Sequence, residues 1–240
     1  MHKTKTNKSS QFIAIEGLDG AGKSTQIELL INYLSSKGIQ TKFVHFPRSH
    51  EGIFGELISK FLRGEFGNVQ DVHPQLTALL FAEDRKEFSP TILEWLNDGY
   101  FVLVDRYVLS NIAFQCAKVD NLSNKKQLRD WITMFEYDYN RIPKPNLSVY
   151  LDVPFSFIEQ SLSEQRSGDE RKYLNGLDDI HEKDISLQLS VKKEYENLMK
   201  IDSSIRKIVC YTSRYKMKSI SEIHEEIIEC LGKSILTTTQ

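Results

Sequence analysis

The sequence predicts an α/β fold in which a five-stranded parallel sheet is covered by helices on both faces. Five short apolar or β-branched runs alternate with segments whose apolar residues recur every three or four positions, which is the alternation of repeated βαβ units. The run at 101–104 has no polar alternation, as is typical of a central parallel strand buried on both faces. Ligands of such folds bind beyond the carboxyl ends of the strands.

Local signals place each element in turn. The expected strands are residues 12–15, 41–46, 101–104, 147–151 and 207–212. The expected helices are residues 27–34, 52–62, 74–96, 110–117, 125–139, 156–162, 185–199 and 220–231. Gly38 ends the first helix, Pro47 closes the second strand, and Asn97-Asp98-Gly99 ends the third helix. Pro143 and Pro145 lead into the fourth strand.

Length and composition favour one domain. The 240 residues suit a single α/β unit, which we expect at 11–233, with flexible tails at 1–10 and 234–240. A net charge of −2 argues against the broad positive field of a nucleic-acid-binding protein. No apolar run approaches the ~20 residues that span a bilayer, so we expect no membrane association.

The cysteines indicate a reducing compartment. Cys116, Cys210 and Cys230 are odd in number and far apart in the sequence, which favours free thiols over a disulfide framework or a metal site. We therefore expect a cytoplasmic protein.

A phosphate-binding loop lies between the first strand and the first helix. Residues 17–24 read Gly-Leu-Asp-Gly-Ala-Gly-Lys-Ser and fit the pattern G-x-x-x-x-G-K-[ST] in the strand–loop–helix context that it requires. Lys23 is expected to reach the β- and γ-phosphates of a nucleotide, and the hydroxyl of Ser24 to bind Mg²⁺. The candidate ATP-binding residues are Gly17, Leu18, Asp19, Gly20, Ala21, Gly22, Lys23, Ser24 and Thr25.

The rest of the chain narrows the class of enzyme. A GTPase would carry a guanine-reading Asn-Lys-x-Asp, and no such tetrapeptide lies between Pro143 and the last strand. The segment at about 164–181 loses its helical periodicity and is rich in Arg, Lys and Gly, which predicts a mobile lid. A small nucleotide or nucleoside kinase fits these features best.

An ordered set of short motifs runs from about residue 12 to residue 232. The motifs are the phosphate loop, Phe46-Pro47-Arg48, Leu79-Leu80-Phe81 with Arg85, Val104-Asp105-Arg106-Tyr107 with Ser110, Pro143-Lys144-Pro145 and Asp179-Ile180-His181-Glu182. In this order and spacing, the set resembles the thymidylate kinase family. The resemblance implies a phosphate-loop nucleoside monophosphate kinase that transfers the γ-phosphate of ATP to thymidine 5′-monophosphate (dTMP), with Mg²⁺, as a homodimer.

Two arginines are candidates for the acceptor phosphate. A monophosphate is already anionic at neutral pH, so the difficulty of the reaction lies in bringing two anions together. Arg48 and Arg106 follow the second and third strands, and their guanidinium groups could hold the phosphate from the edge of the sheet. The resemblance implies that both do so, that Asp105 positions Mg²⁺ through water, and that Asp19 contacts the 3′-hydroxyl of the acceptor.

The candidate base-binding residues follow the same sheet edge. Phe81 and Arg85 are four apart and share a helix face, which suits a ring that stacks on thymine and a guanidinium that bonds to its carbonyl. The resemblance implies that Ser110 and Gln115 read the pyrimidine edge and that His181 lies near the sugar. Phe46, beside Arg48, completes the candidate acceptor site.

The lid is expected to supply a catalytic cation. Some thymidylate kinases have an arginine after the aspartate of the phosphate loop, but this chain has Gly20 there. The resemblance therefore implies that the arginine comes from the lid, and Arg166 and Arg171 are the candidates.

Two other functions remain open on the sequence alone. A deoxynucleoside kinase of the same fold needs a carboxylate to deprotonate a 5′-hydroxyl, and Glu51 lies close to the end of the second strand. A non-catalytic nucleotide-binding module is disfavoured by the intact loop and Asp-Arg pair. His45 and His73 lie at no metal-binding spacing and are interpreted as structural.

Overall fold

The structure is a computed structural model and describes residues 10–49, 51–163, 174, 179–214 and 216–235. Its strands are β1 (Gln11–Glu16), β2 (Thr41–His45), β3 (Phe101–Asp105), β4 (Leu147–Asp152) and β5 (Ile205–Val209). They form one sheet in the order β2-β3-β1-β4-β5, and all neighbouring strands are parallel. This confirms the predicted sheet.

The helices are α1 (Lys23–Ser36), α2 (Gly52–Leu62), α3 (Pro74–Asn97), α4 (Val108–Cys116), α5 (Leu122–Thr133), α6 (Phe155–Ser163), α7 (Ile180–Lys183), α8 (Ile185–Ile201) and α9 (Ile220–Ile235). Every residue of β3 and β4 is buried. Because successive side chains of a strand point to opposite faces, both faces of the sheet are covered. No helix in the described ranges is long and apolar enough to cross a membrane.

Local chemistry explains where several helices begin. Gly22 precedes α1 with φ +79°, a left-handed conformation that glycine adopts without steric cost. His73 caps α3, since its Nδ1 accepts a hydrogen bond from the backbone N–H of Gln75 at 3.2 Å. This contact supports the interpretation of His73 as a structural residue. Asn121 caps α5 in the same way, through the N–H groups of Ser123 and Asn124.

Two predicted elements were placed wrongly. The last strand spans Ile205–Val209 rather than 207–212, because it pairs with β4 and this partner ends at Asp152, opposite Val209. The predicted helix at 125–139 begins earlier and changes into a π-helical turn, Met134–Tyr139. Periodicity alone did not show that Glu136 on this turn is fully buried.

The region predicted as a lid is described only in part. Leu174 is buried, and Asp179 caps the short helix α7 by accepting hydrogen bonds from the backbone N–H groups of His181 and Glu182. The other residues of the predicted lid up to position 178, Arg166 and Arg171 among them, lie outside the described residues.

Candidate active site

A cavity of about 700 Å³ opens at the carboxyl ends of β1, β2 and β3. Its walls come from the loops that follow these three strands, together with α3, α4 and α7. The predicted site residues that line it are Asp19, Gly20, Gly22, Lys23, Ser24, Thr25, Phe46, Phe81, Arg85, Asp105, Arg106, Ser110, Gln115 and His181. The structure therefore brings together most of the side chains that the sequence singled out.

The phosphate loop wraps around the start of α1. Gly20 and Gly22 both have φ +79°, which a residue with a Cβ would adopt only with strain. A Cβ at Gly17 would lie 3.4 Å from the carbonyl oxygen of Leu151, so the loop also runs close to the end of β4. Leu18 and Ala21 are buried in the core and fix the loop from beneath its polar surface.

Lys23 and Asp105 face each other at the base of the loop. The Lys23 Nζ donates a hydrogen bond to the carbonyl oxygen of Leu18 at 3.0 Å and lies 3.9 Å from Asp105 Oδ1. Burial, together with the charge of Arg106, lowers the pKa of Lys23. Burial works to raise the pKa of Asp105, but Lys23 and His45 outweigh it and hold the carboxyl ionised.

The Asp105 carboxylate suits a metal site. Its Oδ1 is buried and has no hydrogen-bond partner among the described residues, while Oδ2 lies 3.2 Å from His45 Nδ1. The hydroxyl-bearing Ser24 lines the same cavity. Both provide the hard oxygen ligands that Mg²⁺ prefers, so the residues present fit the ion.

Arg106 connects the third strand to the phosphate loop. Its Nη2 donates to Asp19 Oδ1 at 2.6 Å, and its Nη1 donates to Ser110 Oγ at 3.2 Å. Burial alone would lower the pKa of Arg106. Asp19 and other nearby groups outweigh this effect and raise the pKa above its usual value, so the guanidinium stays charged. Gln188 of α8 donates to the other Asp19 oxygen at 3.0 Å. Asp19 is thus held both by Arg106, which follows β3, and by Gln188 of α8. Arg106 itself lines the cavity.

A buried carboxyl lies beneath Arg106. Glu16, at the end of β1, accepts hydrogen bonds from Ser110 Oγ at 2.5 Å, Tyr195 OH at 2.9 Å and the backbone N–H of Tyr107 at 3.0 Å. Burial raises the pKa of Glu16, although these hydrogen bonds and Arg106 oppose the shift. The network fixes both Ser110 and the backbone that carries Arg106.

Arg48 occupies a cluster of carboxylates beside the cavity. Its Nε donates to Asp84 Oδ1 at 3.0 Å, and its Nη1 donates to Glu51 Oε2 at 3.2 Å. Asp84 Oδ2 also accepts from the Arg48 backbone N–H at 2.9 Å. The predicted convergence of Arg48 with Arg106 on one ligand is therefore not seen in this structure, where Arg48 is paired with protein carboxylates.

The base-binding candidates lie on α3 and α4. Phe81 lines the cavity and packs against a small apolar cluster of Ile58, Phe61 and Leu62. Arg85, only 2% exposed, donates to both oxygens of Glu136, each at 2.6 Å. Burial works to lower the pKa of Arg85, and the Glu136 carboxylate more than offsets it.

Gln115 and His181 close the far end of the cavity. Gln115 is 1% exposed, and its Oε1 accepts a hydrogen bond from Lys118 Nζ at 3.0 Å. The His181 ring stacks on Phe114 with centroids 5.1 Å apart and meets Phe61 edge-on at 5.3 Å. Burial, followed by the charge of Lys118, lowers the pKa of His181 well below its usual value, so the ring is neutral.

Comparison with known proteins decides the family. The family model described as thymidylate kinase matches residues 15–227. The chain belongs to the thymidylate kinase family. It is 31% identical over 229 residues to human thymidylate kinase, covering 95% of this chain and 93% of that protein. A probable thymidylate kinase of Pyrococcus horikoshii is 30% identical over 94% of this chain and 97% of its own length.

A solved structure agrees with this membership. The thymidylate kinase of Candida albicans matches this fold with a TM-score of 0.68 at 28% identity, over 94% of this chain and 92% of that one. As a thymidylate kinase family member, the chain is an ATP-dependent phosphotransferase.

Sequence reasoning missed several residues of this thymidylate kinase site. Glu16 ends the first strand directly before the phosphate loop, and that position was a usable signal. His45 was interpreted as purely structural, yet it lines the cavity and contacts Asp105. Gln188 and Glu136 sit within helical patterns, 169 and 51 residues from their partners Asp19 and Arg85, and no local signal marks them.

Proposed function

We propose that this thymidylate kinase transfers the γ-phosphate of ATP to dTMP, with Arg106 as the principal anchor of the acceptor phosphate. The observation that carries the proposal is the placement of Arg106, which lies in the same cavity as Lys23 and is ion-paired with Asp19 of the phosphate loop. The donor and acceptor phosphates would meet between Lys23, which the phosphate loop holds, and Arg106, which the end of β3 holds.

The donor site is formed by the loop at the start of α1. Backbone N–H groups of a glycine-rich loop and a helix N-terminus favour anionic groups, and Lys23 adds a full positive charge. We assign Mg²⁺ to Ser24 and to Asp105, the latter through water. When bound, the ion neutralises negative charge on the ATP phosphates.

The acceptor phosphate would be held by arginines. Arg106 already faces the cavity, and Arg48 would exchange its Asp84 and Glu51 partners for the phosphate. A monophosphate oxygen is anionic without a base, so this reaction needs positioning rather than deprotonation. Glu51, the base required of a deoxynucleoside kinase, is 66% exposed and paired with Arg48, which supports the monophosphate as acceptor.

The nucleoside would lie between α3 and α4. In this arrangement Phe81 and Phe46 contact the ring, Arg85 donates to a base carbonyl, and Ser110 and Gln115 read the pyrimidine edge. Asp19 meets the 3′-hydroxyl, and His181 packs near the sugar. The predicted lid cations Arg166 and Arg171 would neutralise charge on the transferring phosphoryl group.

The exposure of α3 and the chemistry of the cysteines support the proposed assembly and compartment. Leu76 and Leu93 of α3 are 60% and 43% exposed, whereas α4 is almost wholly buried within the single chain. We therefore assign α3 to a homodimer interface. The three cysteines are free thiols, which supports a cytoplasmic location.

Binding measurements with one variant test the acceptor anchor. Arg106→Met removes the guanidinium that would bind the phosphate of dTMP. Because the phosphate loses these charged hydrogen bonds, the affinity for dTMP should fall about a hundredfold. The affinity for thymidine, which has no phosphate, should fall much less, because thymidine loses only the support that Arg106 gives to Asp19 and Ser110. Isothermal titration of both ligands measures the difference. Equal losses for dTMP and thymidine, or no loss for dTMP, would refute the role of Arg106.

A further inference from the structure

Two side chains of helix α8 support the guanidinium of Arg106, each through one other residue. Gln188 and Tyr195 lie about two turns apart on this helix, and both are fully buried. Gln188 donates to Asp19 Oδ2 at 3.0 Å, and the other oxygen of Asp19 accepts from Arg106 Nη2. Tyr195 OH lies 2.7 Å from Ser110 Oγ, which accepts from Arg106 Nη1. Both terminal nitrogens of the guanidinium are therefore supported from the same helix.

Tyr195 also supports the backbone of Arg106. Its hydroxyl donates to Glu16 Oε2 at 2.9 Å, and Glu16 Oε1 accepts from the backbone N–H of Tyr107 at 3.0 Å. Tyr107 directly follows Arg106, which has a left-handed φ of +64°. A residue other than glycine keeps this conformation only where neighbouring contacts hold it. The contact with Glu16 is one of these, so a fixed Glu16 carboxyl helps to fix Arg106.

The hydroxyl of Tyr195 suits this role because it stays protonated and lies away from the ligand. Burial, followed by the charge of Glu16, raises the pKa of Tyr195 well above its usual value, so the hydroxyl keeps its proton. Tyr195 and Glu16 are not among the described residues that line the cavity. The Tyr195 ring stacks on Tyr150 of β4 with centroids 4.7 Å apart, so packing holds the ring independently of its hydroxyl.

We propose that Tyr195 is a positioning residue for the acceptor phosphate. Its hydroxyl fixes Glu16 and Ser110, and these two hold the backbone and one guanidinium nitrogen of Arg106. Hydrogen-bond donors that are fixed in advance bind an anion better than donors that must first be ordered. Without the hydroxyl, Arg106 is held less firmly and binds the phosphate more weakly. Tyr195 touches no substrate itself, and the inference rests on the proposed role of Arg106 as the anchor of that phosphate.

Binding measurements with Tyr195→Phe test the role of the hydroxyl. The variant keeps the ring and its stacking on Tyr150, so only the contacts with Glu16 and Ser110 are lost. The affinity for dTMP, measured by isothermal titration, should fall about fivefold. The affinity for thymidine should fall much less, because Ser110 keeps its hydrogen bond to Glu16. Tyr150→Phe removes the hydroxyl of the stacked ring, which lies outside this network, and should bind dTMP like the wild type.

A double-mutant cycle with Arg106→Met separates the positioning of Arg106 from a general effect on the fold. Because Tyr195 acts through Arg106, Tyr195→Phe should have almost no further effect on dTMP affinity in the Arg106→Met background. A general loosening of the site would lower the affinity by the same factor in both backgrounds. Glu16→Gln replaces one acceptor oxygen of the network with a donor group. It should show the same dependence on Arg106, whether or not Tyr195→Phe folds.

The outcomes also separate this inference from the proposed function. An unchanged dTMP affinity in Tyr195→Phe would overturn the inference, and so would an equal loss for dTMP and thymidine or the same loss in both backgrounds. If Arg106→Met itself binds dTMP as tightly as the wild type, the proposed anchor of the phosphate is refuted instead.

Discussion

Arg106 combines backbone strain and charge in one residue. Its φ is +64°, a left-handed conformation that costs a non-glycine residue of order 1 to 3 kcal/mol. The backbone N–H donates to Ile15 at 2.9 Å, and the guanidinium pairs with Asp19 at 2.6 Å, so both ends of the residue are held. The strained conformation is maintained by these contacts and directs the side chain into the cavity.

Residues at fixed offsets from strand ends could be predicted from the sequence. Lys23 and Ser24 come after β1, Asp105 ends β3 and Arg106 comes next, so parallel pairing alone brings them to one edge. The partner of Arg85 could not be predicted, because Glu136 lies 51 residues away on another helix. The pairing of Arg48 with Asp84 could not be predicted either, since only the fold brings the loop after β2 against α3.

At the scale of elements, the first four strands were predicted to within one residue at each end. β1, β3 and β4 are buried on both faces, and their apolar runs mark them in the sequence. The edge strand β5 has an exposed pair at Arg206 and Lys207, so its start is masked by polar residues. The π-helical turn has no sequence signature, although it carries the counter-ion of Arg85.

The π-helical turn should matter for stability through this ion pair. Glu136→Gln leaves the buried charge of Arg85 without a counter-ion, so the free energy of unfolding should fall by about 3 to 5 kcal/mol. Urea denaturation measures this change. Asp138→Asn, an exposed change on the same turn, serves as the matched control and should stay within about 0.5 kcal/mol. A similarly small effect of Glu136→Gln would show that the pair is not important for stability.

At the scale of the whole molecule, charge is arranged locally rather than globally. The net charge is only −2, yet Lys23 and Arg106 face one cavity at the sheet edge. Each has a carboxylate beside it, Asp105 for Lys23 and Asp19 for Arg106. Such a site suits two phosphorylated ligands brought together with a metal ion.

Turnover across acceptors tests most directly whether this site serves a phosphorylated nucleoside. In a coupled ADP-release assay with ATP and Mg²⁺, we expect the highest kcat/KM with dTMP, a lower value with dUMP and little turnover of thymidine. Lys23→Met should abolish turnover of every acceptor, while Lys126→Met, whose side chain is 72% exposed, should match the wild type. Turnover of thymidine in preference to dTMP would contradict the account.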